Sequence, residues 1–335
     1  MTANRTNDNF TLITAGSTAA VFETTVTYPF EFLKTGLQLH RSLPGVQPFE
    51  ALGYQVRAYF TGCSAVNIGA ILKTSIRFWT FDKASEWVRP PDLPRDAKLT
   101  GPQLLMAGVL TGTMESLCII PFENVKVAMI QNALVSDERA KNGGISSIDK
   151  LKGELQASKP AKKTFHKQPI ATSPYEVLFP EKLPTNIFST ISELYRHRGI
   201  RAYFQGTVPT MMRQVGNSVV RFTTFTTLRQ FAPREYQNNE YFATLLGLVS
   251  SGAVVAATQP LDVIKTRMQA KDSMVLYRNS INCGYRIFVE EGITAFWKGW
   301  LPRLMKVGLA GGVSFGIYQY TENLIMLTRQ KRHLE

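Results

Sequence analysis

The sequence predicts an all-α membrane protein: six transmembrane helices in three tandem pseudo-symmetric repeats, with short surface helices between the helix pairs. Three observations predict this class. A motif of proline, acid and lysine occurs three times, a glycine landmark follows each copy, and six apolar segments flank these features. Internal repeats are considered first, because a repeat that is overlooked leads to the wrong fold.

The repeated motif has the pattern proline, any residue, acid, two residues, lysine. Its three copies begin at Pro29, Pro121 and Pro260. After each copy comes an aromatic residue, then one or two further residues and a glycine. These landmark glycines are Gly62, Gly206 and Gly299. One copy alone would carry little information, whereas three copies with matched landmarks indicate a chain built from three similar units.

The spacing of the motifs sets the repeat length and reveals an insert. Pro29 and Pro121 are 92 positions apart, but Pro121 and Pro260 are 139 positions apart. We place the units at residues 1–98, 99–232 and 233–335, with an insert at about 134–184 in the second unit. The insert is rich in Lys, Ser and Pro and poor in aromatic residues, so we expect a mobile loop without a core of its own.

Six apolar segments are each long enough to cross a bilayer core of about 30 Å as a helix, which takes about 20 residues. They run over residues 10–39, 63–88, 102–131, 207–231, 241–269 and 301–327. Polar residues recur inside them, as expected when one helix face meets lipid and another lines a wet cavity. Buried helices of a soluble protein are the alternative, and the threefold repetition argues against it.

Short polar stretches between the paired segments are expected to form helices along the membrane surface. In the second and third units they span Asn186–His197 and Asn279–Glu291. A glycine follows each stretch closely, in the manner of a helix stop. In the first unit the equivalent helix, near Pro48–Tyr54, is expected to be short.

Composition and charge exclude several function classes. The formal net charge of +13 fits nucleic acid, an anionic membrane or an anionic substrate. The basic residues interrupt apolar helices and do not form a face interleaved with aromatic residues, so we expect no nucleic-acid partner. Three cysteines and four scattered histidines form no disulfide framework, metal site or nucleophile–base set. We therefore expect no metal, no cofactor and no enzymatic activity.

The tripled motif with its glycine landmark resembles the mitochondrial carrier family, over residues 10–327 apart from the insert. The resemblance implies six tilted helices around a pseudo-threefold axis and alternating access across the inner mitochondrial membrane. Both termini would face the intermembrane space. It also implies a monomer that contacts the lipids of that membrane, cardiolipin among them.

The motif residues are expected to form a gate at the matrix end of the bundle. Each proline removes an amide hydrogen bond and bends its helix, which brings the odd-numbered helices together. By the family pattern the ion pairs are Glu31 with Lys126, Glu123 with Lys265, and Asp262 with Lys34. Gln38 and Gln269 stand at the bracing positions, where the second unit has Ile130. Static salt bridges that only hold the bundle together are the alternative reading.

The opposite gate is predicted to be weak. Where the family carries acid–base pairs at the outer ends of the even-numbered helices, this chain retains at most Asp82 with Arg229. Strong pairs at the matrix end and few at the outer end favour a resting state that is open to the cytosolic side.

Basic residues inside the even-numbered segments predict an anion site. The family's contact positions fall at Gly69, Arg213 and Lys306, and Gln214 follows the second of them. Further candidates are Lys73, Arg77, Asn217, Arg221 and Arg303. The sequence shows no internal acid that would neutralise these cations. An unpaired cation inside a membrane is by default a candidate functional residue. Snorkelling to the interface is the alternative for Arg221 and Arg303.

Longer matches make the chain similar to the tricarboxylate (citrate) carriers. They cover residues 27–39, 69–78, 212–221 and 296–304. The resemblance implies exchange of small di- or tricarboxylate anions. Gly36, Ala128 and Lys306 depart from the pattern of basic residues in that subfamily, which leaves citrate itself open. Glu23 and Glu115 lie six residues before their prolines, and we expect them either to couple protons or cations or to hydrogen-bond across helices.

Two alternatives to carboxylate exchange stay open at this point. A degenerate carrier acting as a membrane adapter or receptor would suit the irregular first unit and the weak outer gate. A carrier of another anion, such as a nucleotide or a keto acid, is the second. A nucleotide requires an apolar or aromatic slot for its base, which Gly69 and the Arg213–Gln214 pair do not indicate.

Overall fold

A computed structural model describes residues 2–41, 56–89, 100–141, 179, 183–231 and 240–332. In these ranges the regular structure is helical throughout. In chain order the α-helices are α1 (Thr2–Leu39), α2 (Val56–Tyr59), α3 (Cys63–Val88), α4 (Gly101–Lys141), α5 (Ile187–Arg198), α6 (Thr207–Phe231), α7 (Glu240–Gln269), α8 (Ser273–Leu276), α9 (Ser280–Glu291) and α10 (Trp300–Arg332). Turns of 3₁₀ helix over Ile200–Phe204 and Ile293–Trp297 precede α6 and α10.

Six long helices occupy the six segments predicted to span the membrane. Helices α3 and α6 have the predicted bounds, and α7 begins one residue earlier. Among the described residues, α4 and α7 alone contain an 18-residue window apolar enough for a span by composition, with mean hydropathies of 1.6 and 1.3. The other long helices interrupt their apolar runs with polar residues, as expected for helices that line a wet cavity.

The long helices pack into a closed ring. Each one contacts the next along the chain, and α10 returns to contact α1. Counted along the chain, the first, third and fifth long helices are α1, α4 and α7, and the second, fourth and sixth are α3, α6 and α10. The odd-numbered three also contact one another across the ring. Each of these three helices contains its motif proline. The contacts across the ring are the outcome expected when a proline bends each helix inward.

The surface helices of the second and third units form as predicted. Asn186 and Asn279 precede α5 and α9, and the Asn279 side chain accepts a hydrogen bond of 2.7 Å from the backbone N–H of Asn282. Gly199 and Gly292 end the two helices with φ of 63° and 85°, which suits glycine. The helix predicted near Pro48–Tyr54 in the first unit lies outside the described residues.

The structure corrects the insert predicted at about residues 134–184. Helix α4 continues to Lys141, so the predicted start is too early. Leu134 and Val135 are buried, because the apolar face of α4 extends past the predicted end of the segment. At the other end Phe179 is buried in a cluster with Val135 and Leu276. Both ends of the insert therefore contribute to the core. Residues 142–178 lie outside the described part.

The landmark glycines join neighbouring units. Their φ angles are 88° at Gly62, 76° at Gly206 and 77° at Gly299. A Cβ on Gly299 would lie 3.0 Å from the carbonyl oxygen of Lys34. The matching distances are 3.3 Å from Gly62 to Lys126 and 3.4 Å from Gly206 to Lys265. Each landmark therefore packs on the backbone of a motif lysine in the next unit, which explains why the two features recur together.

Replacing Gly299 by alanine is expected to destabilise the protein by about 1–3 kcal/mol. The alanine would have to adopt a left-handed backbone conformation, and its Cβ would crowd the Lys34 carbonyl. Gly252 lies inside α7 with open space around it. Gly252→Ala is the control and should be neutral or stabilising by about 0.5–1 kcal/mol. Thermal unfolding of the purified variants measures both effects. Equal melting temperatures would contradict the role of Gly299.

Candidate functional site

Three ion pairs close to the motif prolines join the three units. Lys126 Nζ lies 2.6 Å from Glu31 Oε1, Lys265 Nζ lies 2.7 Å from Glu123 Oε1, and Lys34 Nζ lies 2.7 Å from Asp262 Oδ2. We call this set the ion-pair ring. It contains the three pairs that the sequence predicts, and its side chains are largely buried.

Both predicted bracing glutamines contact a carboxylate of the ion-pair ring. Gln38 Nε2 donates to Asp262 Oδ2 over 2.9 Å, and Gln269 Nε2 donates to Glu123 Oε2 over 3.4 Å. In the second unit Ile130 is fully buried in an apolar cluster. Two of the three ring carboxylates thus gain a neutral donor besides their lysine, which helps to offset their desolvation.

Side chains next to two of the motif prolines donate hydrogen bonds to the backbone just before the next long helix. The Tyr28 hydroxyl donates to the carbonyl of Thr61 over 2.6 Å. The Gln259 amide donates to the carbonyl of Lys298 over 2.8 Å. Each acceptor directly precedes a landmark glycine. These bonds therefore hold the proline region of α1 against the start of α3, and that of α7 against the start of α10.

A cavity of about 300 Å³ is bounded by the ion-pair ring at one end. Eight basic and four acidic side chains line it. They are Lys34, Lys73, Lys126, Arg213, Arg221, Lys265, Arg303 and Lys306, with Glu23, Glu31, Glu123 and Asp262. The cavity wall therefore carries an excess of four positive charges. We call this space the charged cavity.

The prediction that the internal cations lack acidic partners is wrong. Lys306 Nζ lies 3.0 Å from Glu31 Oε2. Arg213 Nε lies 3.5 Å and Arg303 Nη1 lies 4.0 Å from the Asp262 carboxylate. The reason is geometric: the gate carboxylates on α1 and α7 reach across to the even-numbered helices as well as to their motif lysines. Arg213 Nε nevertheless has no hydrogen-bond partner among the described atoms.

The acid Glu115 neutralises a second group of predicted cations. Arg77 donates to both of its carboxylate oxygens, over 2.5 and 3.1 Å, and Lys73 Nζ lies 3.9 Å away. Of the two readings of Glu115, the structure shows the hydrogen bond across helices. Glu23 and Arg221 line the charged cavity, and neither makes an ion pair within the described part of the chain.

Two predicted contact residues face a neighbouring helix. A Cβ on Gly69 would lie 3.2 Å from side-chain atoms of Ile119 and Phe122, so Gly69 permits a close contact of α3 with α4. The Gln214 amide nitrogen would lie 2.6 Å from a Cβ on Gly112, so Gln214 packs against α4. Neither residue lines the charged cavity, which corrects their assignment to the site.

Arg303 is held inside the bundle by neutral partners. Its guanidinium donates to Gln259 Oε1 over 3.0 Å and to Thr258 Oγ1 over 2.7 Å. Thr258 in turn lies 2.9 Å from Asn217 Oδ1. Arg303 is 6% exposed, so it does not snorkel. Thr258 and Gln259 are not among the residues predicted from the sequence, although two polar residues directly before Pro260 were a usable signal.

A second group of polar contacts between the units, which the sequence did not predict, lies beyond the ion-pair ring. Asp272 accepts from Gln131 Nε2 over 3.0 Å and lies 3.5 Å from Arg41 Nη2, so it links all three units. Beside it Lys271 Nζ lies 2.6 Å from Glu193 Oε1. Burial lowers the pKa of the Lys271 ammonium, although the Glu193 carboxylate acts against the shift.

The predicted outer pair of Asp82 with Arg229 stays a prediction. Asp82 is exposed on α3. The Arg229 side chain lies outside the described part of the structure, and so does any contact that it makes.

Asp262→Asn is expected to destabilise the protein by about 3–5 kcal/mol, because Lys34, Arg213 and Arg303 would lose a shared buried carboxylate. The control is Glu86→Gln, which breaks an exposed pair with Lys83 and should change stability by less than about 1 kcal/mol. Thermal unfolding of both purified variants gives the comparison. A loss for Asp262→Asn no larger than that of the control would refute the carboxylate's structural role.

Comparison with known proteins gives the same three-unit organisation. The family model described as mitochondrial carrier protein matches residues 6–91, 97–236 and 238–329. An uncharacterized mitochondrial carrier of Saccharomyces cerevisiae is 42% identical over 328 residues, which cover 96% of this chain and 98% of the relative.

Two further relatives have named activities. The mitochondrial citrate transporter A of Aspergillus niger is 35% identical, with 92% of this chain and 90% of the relative covered. The tricarboxylate transport protein of Saccharomyces cerevisiae is 30% identical, with 93% of this chain and 94% of the relative covered. The chain thus belongs to the mitochondrial carrier family, as a multi-pass transporter of the inner mitochondrial membrane.

Proposed function

We propose that the protein exchanges small di- or tricarboxylate anions, citrate among them, across the inner mitochondrial membrane by alternating access. The observation that carries this proposal is the excess of four positive charges in the wall of the charged cavity, directly against the closed ion-pair ring. A ligand with two or three carboxylates neutralises two or three of these four charges. The citrate and tricarboxylate activities named for two relatives support the same substrate class.

Shared carboxylates explain why a paired cation still attracts a substrate. Glu31 lies 2.6 Å from Lys126 and 3.0 Å from Lys306, so one negative charge serves two lysines. Asp262 likewise serves Lys34 at 2.7 Å and Arg213 at 3.5 Å. Like charges held together in a medium of low dielectric constant repel strongly. An added anion relieves this repulsion, whereas a neutral ligand does not.

Arg213 and Lys306 are the central substrate ligands in this proposal. Arg213 Nε makes no hydrogen bond in the described structure, and a guanidinium can bind a carboxylate through two parallel hydrogen bonds. Lys306 is 28% exposed at its side chain, so an incoming anion can reach it. Lys73 and Arg221 extend the basic wall toward the open side and would hold a second carboxylate.

Substrate binding at Arg213 and Lys306 couples to the gate through the same carboxylates. An anion that binds Lys306 competes with Glu31, and one that binds Arg213 competes with Asp262. Both contacts use a carboxylate of the closed ring, so the substrate would interact differently with the closed and open states. That difference is what a ligand requires to shift a conformational equilibrium.

The membrane-adapter alternative gains no support from the site. An adapter has no use for a complete ring of interlocked pairs below a cavity of excess positive charge, because each buried pair brings a desolvation penalty. The irregular features that suggested it belong to the predicted outer gate and the predicted surface helix of the first unit, and not to the ion-pair ring or the charged cavity.

Arg213→Ala and Lys73→Ala should each reduce citrate exchange at least tenfold in proteoliposomes, since each removes a cation of the cavity wall. The assay preloads vesicles with citrate, malate, oxoglutarate, phosphate or ATP and measures counter-exchange. Lys83→Ala is the matched control on α3, because Lys83 is exposed and pairs with Glu86. Normal exchange by both cavity variants, with correct membrane insertion, would refute the site.

Exchanging the charges of a gate pair should rescue transport best at Glu123 and Lys265. Glu123 makes one ion pair in the described structure, whereas Glu31 also holds Lys306. The double variant Glu123→Lys/Lys265→Glu should therefore recover at least fivefold more exchange than either single change. The double variant at Glu31 and Lys126 should recover less, because Lys306 would then face a lysine. Additive losses at Glu123 and Lys265 would argue against a gate.

A further inference from the structure

A second cavity adjoins the charged one. It measures about 830 Å³ and lies between α4, α6, α7 and α10. Its wall is apolar, with Leu104, Leu105, Phe222, Phe225, Leu248 and Val307. Arg221 is the one charged residue in its described lining. We call this space the apolar lobe.

Glycines create the room in the apolar lobe. Its lining includes Gly108, Gly247, Gly308, Gly311 and Gly312. A Cβ on any of these five would meet no other atom within 4 Å. Glycine inside a helix is usually explained by close contact with a neighbouring helix, but no neighbour approaches here. Since glycine also weakens a helix, five of them around one open space indicate that the space itself has a use.

The apolar lobe and the charged cavity are continuous. Arg221, Ser251 and Val307 line both. A ligand held by its carboxylates at Arg213 and Lys306 can therefore extend past Arg221 into the lobe. Leucine, phenylalanine and valine make up much of this wall and offer water few hydrogen-bond partners, while Ser218, Ser250 and Ser251 also line it.

The geometry points to a substrate that carries an apolar arm: a di- or tricarboxylate with an alkyl substituent, whose carboxylates bind in the charged cavity and whose alkyl group occupies the apolar lobe. This inference rests on the proposed function and narrows its substrate class. Citrate has no such arm and uses the charged cavity alone. Ligand pockets that combine an apolar wall with a few convergent polar groups are the usual arrangement for substrates of this kind.

Inhibition of citrate counter-exchange by succinate and by 2-butylsuccinate tests the inference in proteoliposomes. The two probes share their carboxylates and differ by the butyl arm. Each methylene buried improves affinity by up to about fourfold. We expect an inhibition constant at least tenfold lower for 2-butylsuccinate, and we expect labelled 2-butylsuccinate to be taken up in exchange.

Filling the lobe should remove this preference. Gly308→Leu places a side chain in the lobe and should bring the ratio of the two inhibition constants to within about twofold of one. Gly108→Leu on α4 provides a second variant, in case the first does not fold. Gly316→Leu is the matched control on α10, because Gly316 is equally open but lies outside the lining of both cavities. It should keep the wild-type ratio.

The outcomes separate the two proposals. Equal inhibition constants in the wild-type protein, or a ratio that neither lobe variant changes, would overturn the apolar arm and leave a lipid chain as the occupant. Absence of citrate exchange would overturn the proposed function instead. In that case thermal stabilisation of the purified protein in nanodiscs still tests the lobe. Greater stabilisation by 2-butylsuccinate than by succinate supports it, and equal stabilisation overturns it.

Discussion

The structure depends on two carboxylates that each serve the ion-pair ring and the charged cavity at once. Glu31 binds the ring lysine Lys126 and the cavity lysine Lys306. Asp262 binds the ring lysine Lys34 and lies close to Arg213 in the cavity. A carboxylate in this position cannot fully neutralise both neighbours, so the closed ring leaves the cavity positive. In the proposed function, the same shortage of negative charge attracts an anion and links its binding to the opening of the ring.

The packing of the helices brings these side chains together. Helices α1, α4 and α7 each contain a motif proline, where a helix is expected to bend. The landmark glycines let α3, α6 and α10 each start against the backbone of a motif lysine in the next unit. Because a Cβ on Gly299 would lie 3.0 Å from the Lys34 carbonyl, the ion-pair ring can close only if these positions carry no side chain. Backbone contact and ion pairing therefore occur at the same three junctions.

Repetition made the fold and the three ion pairs predictable from the sequence, whereas the lining of the cavity was less predictable. The six helices and the pairs of Glu31, Glu123 and Asp262 with motif lysines follow from patterns that occur three times. The pairing of Lys306 and Arg77 with acids did not follow, because it depends on side chains from helices far apart in sequence. Gly69 and Gln214 pack against α4 and do not line the charged cavity, because contacts between helices far apart in sequence cannot be derived from spacing along one helix.

Coupling between Lys306 and the ion-pair ring is tested most directly by labelling a cysteine beyond the ring, with and without citrate. Ile130→Cys, in a background free of other cysteines, serves as the reporter, because Ile130 is fully buried next to the closed ring. The shared carboxylates predict that saturating citrate speeds its modification by a membrane-impermeant thiol reagent added on the ring side. They also predict that Lys306→Ala removes the effect of citrate. A labelling rate that citrate does not change, or changes equally in Lys306→Ala, would contradict the account.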